Sequence, residues 1–334
     1  MFYTALKYFV RIGLYWYAPD IRQQHLPLAT YAGPTVVVSN HPNSLFDALV
    51  IAAYCPAEIW FLTRGDIFRH PVANLLLRNL FQLPIFKKSD DEEFAVKNDF
   101  TFDECIRLLS RGKHVLIFPE GRSLNIWALQ PFMNGGLTSL LERAYRAEVP
   151  LQLQPYVLNY NSFRHVPKSV AITALPPVDS TDYIENHRIQ AATLIAELRA
   201  RLRAAMTEKP LAAIPLSDSE QRLLRIPAKI GYYTQFWFYR LWRDYIRKKT
   251  ADTIFYDSLL FTALLFSYPI LVFIISFIIG KLAGFWIGLL CFLLLPASAY
   301  CMSRYEHVKT ETDLDSRKGN TFGKANSADG KGDT

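Results

Sequence analysis

The chain has few residues of the kinds that build metal centres and disulfide frameworks. Its 334 residues include only four cysteines, which are scattered along the sequence, and seven histidines. Neither residue type recurs at a spacing typical of a metal site or of paired cysteines. We therefore expect no metal site and no cofactor, and a chain compatible with a reducing compartment. The cysteines are Cys55, Cys105, Cys291 and Cys301.

Three glycine-containing motifs of common enzyme families are also missing. The sequence has no Gly-x-Ser-x-Gly nucleophile elbow, no phosphate-binding P-loop and no dinucleotide-binding fingerprint. These absences argue against kinases, against nucleotide-dependent dehydrogenases and against an acyl-enzyme formed on a serine elbow.

Charged residues are missing from two long stretches near the C-terminus. Residues 258–280 contain none, Lys281 interrupts, and the next 22 residues again contain none. About 20 apolar residues suffice to span the core of a bilayer as a helix. The pattern predicts a two-helix transmembrane hairpin over residues 258–303, with kinks at Pro269 and Pro296.

Basic residues flank this predicted hairpin on both sides. Its turn, at Gly280 and Lys281, leaves almost no loop, so both ends lie on one side of the membrane. The positive-inside rule then predicts an integral membrane protein whose main domain is on the cytoplasmic face. Anionic membrane lipids explain the formal net charge of +7 better than nucleic acid does. The flanking residues are Arg240, Arg243, Arg247, Lys248, Lys249, Arg304 and Lys309.

Two further segments have membrane character, and one has little apolar content. In residues 1–30, aromatic residues alternate with Lys7 and Arg11, which indicates an interfacial amphipathic helix, the alternative being an ordinary packed terminal helix. Residues 216–250 form a basic and aromatic segment that favours the membrane interface over RNA binding. Residues 310–334 are polar and predict a disordered tail.

Strand-like and helix-like segments alternate over residues 31–215. This alternation predicts an α/β domain with a mostly parallel sheet flanked by helices. The predicted strands are 35–39, 58–63, 114–118, 151–158 and 169–175. The predicted helices are 45–55, 70–81, 91–111, 136–147 and 188–207.

His41 follows the first predicted strand in a tight loop, and Asp47 lies near the start of the next predicted helix. Open α/β sheets place their chemistry at the carboxyl ends of strands. A histidine there with a carboxylate nearby can act as a general base with its orienting partner. Ser44 and Asp47 also fit a helix capping box, which needs no catalysis. The residues alone leave both interpretations open.

A second motif, residues 118–123, follows the strand predicted over 114–118. Its Pro, Glu, Gly and Arg in succession indicate a tight turn with exposed backbone N–H groups and a guanidinium. This combination suits a phosphate or a developing oxyanion, and an ordinary β-turn is the alternative.

Together, the two motifs resemble the phospholipid/glycerol acyltransferase family. Three further blocks, at residues 83–88, 131–136 and 149–155, resemble that family in order and spacing, so the resemblance covers about residues 31–180. It implies the glycerolipid acyltransferase fold. It also implies transfer of a fatty acyl group from a thioester to a hydroxyl of a glycerol phosphate.

The resemblance also implies roles for single residues. His41 would remove the proton of the acceptor hydroxyl, which is itself the nucleophile, and Asp47 would orient the imidazole. Glu120, Gly121 and Arg122 match the acceptor-binding motif of the family.

Two basic residues are further candidates for the acceptor phosphate. Lys87 matches the phosphate-contacting basic residue of the family. Arg64 ends a predicted strand and either faces the acceptor phosphate or pairs with Asp66.

Three departures from the common family pattern bear on the acceptor. Five residues separate His41 from Asp47 where four are usual, Lys87 stands in place of Arg, and Arg122 directly follows Gly121. They favour glycerol 3-phosphate or dihydroxyacetone phosphate, and hence the sn-1 step of phospholipid biosynthesis. The alternative acceptor is lysophosphatidate.

The expected acyl donor is acyl-CoA or acyl carrier protein. Other hypotheses are a transacylase that takes its acyl group from a phospholipid, a non-catalytic lipid-binding scaffold and a membrane-tethered nucleic-acid binder.

Overall fold

A computed structural model describes residues 2–87, 92–133, 135–251 and 253–326, with side chains as far as His307. The described residues form two compact units. The first comprises those of Met1–Arg11, Arg22–Asn159 and Ala171–Lys209, and the second those of Ile12–Ile21, Tyr160–Val170 and Pro210–Thr334.

Helices and strands alternate through the first two thirds of the chain, and the last third is helical. The strands are β1 (Asp20–Gln24), β2 (Thr35–Ser39), β3 (Ile59–Arg64), β4 (Gln82–Ile85), β5 (His114–Ile117), β6 (Gln152–Tyr160), β7 (Ser169–Ala174), β8 (Val178–Asp179), β9 (Ile184–Glu185) and β10 (Arg188–Ile189). The helices are α1 (Phe2–Tyr17), α2 (Leu45–Tyr54), α3 (Pro71–Asn79), α4 (Phe94–Leu109), α5 (Gly136–Arg146), α6 (Ala191–Ala205), α7 (Asp218–Lys249), α8 (Tyr256–Ala283) and α9 (Phe285–Asn326).

The first unit is built around a mostly parallel sheet, as the sequence predicts. Within the described residues its strand order is β1-β7-β6-β2-β5-β3-β4, with β8 antiparallel to β6. Within the run β6-β2-β5-β3-β4, each strand is parallel to the next. Strand β2 lies at the centre, and all five of its residues are buried. Its run of valines suits a strand that is covered on both faces.

The predicted strands and helices of the sheet domain are observed, with ends shifted by a few residues. Of the described strands, five were not predicted: β1, β4 and the two-residue strands β8, β9 and β10, the last of which lies where the helix over 188–207 was expected to begin. β1 has the polar sequence Asp-Ile-Arg-Gln-Gln and ends the sheet on one side. β4 has four residues, includes Pro84 and ends the sheet on the other side, where a proline is tolerated. Edge strands need neither length nor continuous apolar character, so the sequence signal is weak.

The core of the first unit lies between the sheet and helices α4, α5 and α6. Full burial of an aliphatic side chain contributes about 1.5–3 kcal/mol, so this cluster is the main stabilising element of the unit. Its fully buried members include Val36, Val38, Cys105, Leu109, Val115, Leu140, Leu153, Val157, Leu194, Leu198 and Leu202.

Helices α7, α8 and α9 dominate the second unit. Ser217 and Glu220 form a capping box that begins α7, and a Cβ atom built on Gly231 would lie 2.3 Å from the carbonyl oxygen of Ser298. Helices α7 and α9 therefore approach each other so closely that only glycine fits. Residues 216–250 were expected to lie along the membrane interface. The structure adds that α7 packs closely against α9.

The turn between α8 and α9 differs from the prediction. Helix α8 continues through Gly280 and Lys281 to Ala283, and the chain turns at Gly284, whose φ is 105°. A glycine adopts this positive φ without steric cost, whereas Gly280 fits inside a helix. The two helices still form a tight hairpin.

Helix α9 is longer than the sequence predicts. It continues to Asn326, so residues 310–326 of the predicted disordered tail have helical backbone. Extending an existing helix needs no new nucleus, which makes a polar continuation possible. The rest of the predicted tail, residues 327–334, lies outside the described residues.

Two helices are long and apolar enough to cross a membrane. These are Tyr256–Ala283 and Phe285–His307, with mean hydropathy of 2.4 and 1.9. A core helix of a soluble protein can have the same composition, but it is buried, whereas only 17% of each apolar stretch is buried here.

A buried ion pair fixes the beginning of α8. The Nζ atom of Lys168 lies 2.7 Å from Oδ2 of Asp257, and neither side chain is exposed. Lys168 also donates to the carbonyl oxygens of Ser162 and His165, and the hydroxyl of Tyr17 donates to Oδ1 of Asp257. Burial lowers the pKa of Lys168, and Asp257 acts in the opposite direction. Each charge is therefore neutralised and hydrogen-bonded inside the second unit.

A second buried polar group lies beside the first in sequence. The hydroxyl of Ser169 donates to Oδ2 of Asp20 at 2.8 Å and lies 2.8 Å from Nε2 of His307. The other ring nitrogen of His307 lies 3.1 Å from the carbonyl oxygen of Pro167. Neighbouring residues of one loop thus hold the start of α8 and the end of the apolar part of α9.

We expect Lys168→Met to destabilise the protein strongly. The substitution leaves the carboxylate of Asp257 buried without its cation, which typically costs about 3–5 kcal/mol. The double variant Lys168→Met/Asp257→Asn removes that charge and should recover part of the loss. Loss of near-ultraviolet circular dichroism on heating in detergent measures both. Equal midpoints for the single and the double variant would contradict the ion-pair account.

Candidate active site

Four loops leave the sheet at the same edge. Because β2, β5, β3 and β4 are parallel neighbours in that order, the segments after their carboxyl ends lie side by side. They carry His41, the 118–123 motif, Arg64 and Lys87 respectively. With strands about 4.8 Å apart, Arg122 is one strand from the loop of His41, and Lys87 is three strands away.

His41 and Asp47 form a close pair. The Nδ1 atom of His41 lies 2.9 Å from Oδ2 of Asp47, whose side chain is fully buried, while 19% of the His41 side chain is exposed. The same carboxylate oxygen accepts a hydrogen bond from the N–H of Asn43 at 2.7 Å. Asp47 lies in the first turn of α2, where the helix dipole stabilises negative charge.

This geometry determines which nitrogen of His41 can act as a base. An ionised carboxylate only accepts hydrogen bonds, so the Nδ1 atom that faces Asp47 carries the proton. In the neutral ring the lone pair then lies on Nε2. The described residues give Nε2 no hydrogen-bond partner, so this atom is available to an acceptor hydroxyl.

The capping-box alternative is not formed. The Ser44 side chain makes no capping hydrogen bond, and the Ser44 N–H donates to Oγ of Ser123 at 2.9 Å. Ser44 has a φ of 54° and a ψ of −138°, which costs a residue other than glycine about 1–3 kcal/mol. The Asp47 carboxylate bonds the N–H of Asn43 and the His41 ring, and the Ser44 N–H bonds Ser123. These contacts replace those of a capping box.

Glu120 joins the two motifs. Its Oε1 accepts a hydrogen bond from the N–H of His41 at 2.8 Å, and its Oε2 accepts one from the N–H of Gln130 at 3.2 Å. Only 3% of the residue is exposed. Burial raises the pKa of this carboxyl to about 7, although the two N–H donors lower it. Glu120 therefore holds the His41 loop through its backbone, and its contact with an acceptor stays a prediction.

Two more contacts hold the same loops together. The ring of Phe118 stacks on that of His41, with centroids 3.9 Å apart and an interplanar angle of 11°. The N–H of Asn125 donates to the carbonyl oxygen of Pro42 at 2.9 Å. The plane of the His41 imidazole is thus fixed by a carboxylate at its edge and an aromatic ring on its face.

Gly121 and Arg122 have different environments. Gly121 has a φ of 62°, and a Cβ atom built on it would lie 2.0 Å from Sδ of Met133, so the turn requires glycine. Arg122 is exposed, and in the described part of the chain no carboxylate pairs with it. Its guanidinium can therefore reach an anionic ligand, whereas Gly121 shapes the turn.

Arg64 adopts the second of its two predicted arrangements. Its Nε and Nη2 atoms donate to the two carboxylate oxygens of Asp66, at 3.1 and 2.7 Å. Lys87 is exposed, and the preceding Phe86 is fixed because its N–H and C=O both bond the side chain of Asn98. Lys87 remains a candidate for an anion, and Arg64 is already neutralised.

The sequence analysis missed several positioning residues. Asn40 donates to and accepts from the backbone of Leu158, at 2.8 Å each, and so fixes the start of the His41 loop to β6. Ser123 and Phe118 belong to a motif that was noticed, but their partners lie 79 and 77 positions away in sequence. For Asn40, the available sequence signal was a polar residue directly before the candidate base His41.

The described residues contain no group of three or more His, Cys, Asp or Glu side chains that could hold a metal ion.

One family model and one solved structure are similar to this chain. A family model described as Acyltransferase matches residues 20–155, which contain both motifs. Among solved structures, the 1-acyl-sn-glycerophosphate (LPA) acyltransferase PlsC from Thermotoga maritima is similar, with 17% identity and a TM-score of 0.43. The match covers 60% of this chain and 78% of that chain. A likeness of this extent assigns no substrate. No curated protein sequence matches the chain.

We expect Glu120→Gln to change how stability depends on pH. Burial raises the pKa of Glu120 from 4.5 to about 7, so the folded state keeps a proton that the unfolded state has released in this range. The contribution of this carboxyl to the free energy of unfolding is therefore fully present below pH 4.5 and is lost as the pH rises to about 7. Glutamine does not titrate.

Denaturant unfolding of both proteins between pH 4 and 8 measures this effect. The wild type should lose stability relative to Glu120→Gln up to pH about 7, and the difference should then level off. Glu142→Gln, at an exposed position of α5, is the matched control. A wild-type-to-variant difference that does not change with pH would contradict the assigned environment of Glu120.

Proposed function

Because residues 20–155 form a domain of the acyltransferase family, we propose that this protein is a membrane-bound glycerolipid O-acyltransferase. It transfers a fatty acyl group from an acyl thioester to a hydroxyl of glycerol 3-phosphate or dihydroxyacetone phosphate. The observation that carries the proposal is the His41–Asp47 pair, whose Nε2 atom is available one strand from the exposed Arg122.

The acceptor hydroxyl attacks the thioester directly. Nε2 of His41 takes the hydroxyl proton while the oxygen forms a bond to the thioester carbon. Collapse of the tetrahedral intermediate breaks the carbon–sulfur bond, and the leaving thiolate takes the proton from the imidazolium. The protein is thereby restored, with an ester and a free thiol as products.

Two neighbours of His41 stabilise its charged form during this step. The buried carboxylate of Asp47 faces the proton on Nδ1, and the face of the Phe118 ring lies against the imidazole. An aromatic face attracts a cation, so both contacts are stronger for the imidazolium than for the neutral ring. Interactions that strengthen in the transition state raise kcat.

The acceptor phosphate binds Arg122 in this proposal. Glu120 and Gly121 support the turn that presents it, and Lys87 is a further cation at the same edge. Arg64 contributes to acceptor binding only if it exchanges Asp66 for the phosphate. A guanidinium can bind a phosphate with two parallel hydrogen bonds, which orients it as well as attracting it.

Lysophosphatidate is the second candidate acceptor. It has the same phosphate and a neighbouring hydroxyl, so the arrangement of His41 and Arg122 serves it too. The five-residue spacing of His41 and Asp47 favours the sn-1 step. The donor is acyl-CoA or acyl carrier protein.

Membrane attachment follows from the exposed apolar surface of the second unit. We propose that α8 and α9 span the bilayer, that α1 and α7 lie near its anionic surface, and that the catalytic domain is cytoplasmic. Apolar side chains follow one side of α7 at helical spacing, among arginines and lysines. They are Leu223, Ile226, Ile230, Tyr233, Trp237, Leu241 and Tyr245. The corresponding exposed residues of α1 are Phe2, Tyr8, Ile12 and Tyr15.

We expect His41→Ala to lower kcat by roughly a hundredfold or more, because it removes the general base. Purified protein in vesicles is incubated with radiolabelled acyl thioester and, separately, with glycerol 3-phosphate, dihydroxyacetone phosphate or lysophosphatidate. His70→Ala, at an exposed histidine, is the matched control and should be fully active. A folded His41→Ala variant with near-normal turnover would exclude the mechanism. Inactivity of the wild type with all three acceptors would exclude the proposed reaction.

We expect Arg122→Ala to raise KM for the acceptor by about ten- to a hundredfold, the size of one lost charged hydrogen bond, with a smaller effect on kcat. Arg122→Lys should restore part of the affinity, since it keeps the charge and loses the bidentate geometry. Arg146→Ala, at an exposed arginine of α5, is the control. An unchanged KM would contradict binding of the acceptor phosphate by Arg122 and leave this residue a structural role in the turn.

A further inference from the structure

An exposed apolar surface lies beside the candidate active site and is not explained by packing. It consists of Ile67, Val72, Leu75 and Leu76, which we call the α3 patch, with exposed fractions of 42, 68, 68 and 53%. Helix α3 contains no buried residue. The spacing of its three patch residues places them on one side of the helix. The other side, with Ala73 and Leu77, is half-buried.

The position of the patch relates it to the catalytic edge. Ile67 lies in the short 3₁₀ turn that directly follows β3, and β3 is the neighbour of β5, which is followed by Phe118. Helix α3 folds back onto that turn, because the guanidinium of Arg78 lies 6.0 Å from the centre of the Phe68 ring. The segment that carries the patch therefore follows β3, one strand away from β5 and from the Phe118 ring that stacks on His41.

The segment that carries the patch has an excess of positive charge. Between residues 64 and 80 the chain has three arginines, Arg64, Arg69 and Arg78, and one acid, Asp66, which pairs with Arg64. A few apolar side chains in a basic segment match the boundary of an anionic bilayer, where apolar groups enter the acyl region and cations meet headgroups.

A lipid surface fits this patch better than a protein partner does. Stable protein interfaces use roughly 20–30 residues a side with complementary shape. The α3 patch has four large apolar side chains, three on a helix of nine residues and one in the turn before it. A bilayer needs no shape complementarity, so such a small patch can insert.

We propose that the α3 patch inserts into the surface of an anionic bilayer and admits the acyl chain of the donor to the His41 edge. The proposal rests on the acyltransferase function and adds to it a route for the lipid substrate. Long acyl thioesters partition into membranes, because each methylene contributes about 0.8 kcal/mol of burial. A site whose rim enters the bilayer takes them up without extracting them into water.

The first test measures contact without activity. The full chain is reconstituted at one copy per lipid nanodisc, with neutral or with anionic phospholipid, and amide hydrogen exchange is followed. We expect slower exchange over residues 67–78 in anionic discs and no difference over α4, which has an exposed phenylalanine, Phe100, outside the patch. Equal exchange in both discs overturns the proposal. Slowing that requires a second copy or an added protein also overturns it, in favour of a protein interface.

The second test measures how the lipid reaches the site. Leu75→Glu should lower kcat/KM about tenfold for a palmitoyl thioester in anionic vesicles and leave it unchanged for a water-soluble hexanoyl thioester. Phe100→Glu, the matched control, should change neither. An equal loss for both donors would make Leu75 a structural residue and overturn the proposal. A wild type inactive with both donors, but with residues 67–78 protected in anionic discs, would contradict the acyltransferase function and leave the membrane contact standing.

Discussion

The hydrogen bond from the His41 N–H to the buried carboxylate of Glu120 is the contact on which the candidate site depends. It joins a loop after β2 to a loop after β5, and the second oxygen of Glu120 extends the connection to Gln130. A buried acceptor left without its donors costs more than a hydrogen bond contributes, so this arrangement resists displacement. Asp47 and Phe118 can hold the imidazole in one plane only because its backbone is already fixed. The loop of His41 and the loop that carries Arg122 are thus joined by one buried carboxylate.

In the second unit, buried polar contacts hold the two apolar helices α8 and α9. Lys168 and Ser169 are neighbours, and one bonds the start of α8 while the other bonds His307 near the end of the apolar part of α9. A buried ion pair contributes little net stability, but separating its two charges is costly because each is then buried without a partner. The hairpin is therefore held in one register, which exposed apolar side chains alone would not specify.

Positive charge accompanies part of the apolar surface of this protein. Arginines and lysines alternate with the apolar stripe of α7, and Arg69 and Arg78 lie in the segment of the α3 patch, while the exposed Arg122 and Lys87 lie at the candidate catalytic edge. The same charges that suit anionic headgroups suit a phosphate-bearing acceptor and a phosphate-bearing donor. Attraction of this kind acts over about one Debye length, so it concentrates substrates at the surface without selecting among them.

The sequence determined the parts of this protein that local pattern encodes. Runs such as Val36–Val38 and two charge-free stretches specify buried strands and apolar helices by composition, so the mostly parallel sheet and the hairpin could be predicted. His41 and Asp47 became candidates because they follow a predicted strand, and Arg122 because its motif resembles the acyltransferase family. The tertiary structure alone decided between the capping box and the histidine pair, hydrogen-bonded Glu120 to the backbone of two loops, paired Arg64 with Asp66 and brought Phe118 onto His41. These choices depend on which side chains meet across strands distant in sequence, and the energies that decide them are hydrogen bonds and burial, which a single segment does not contain.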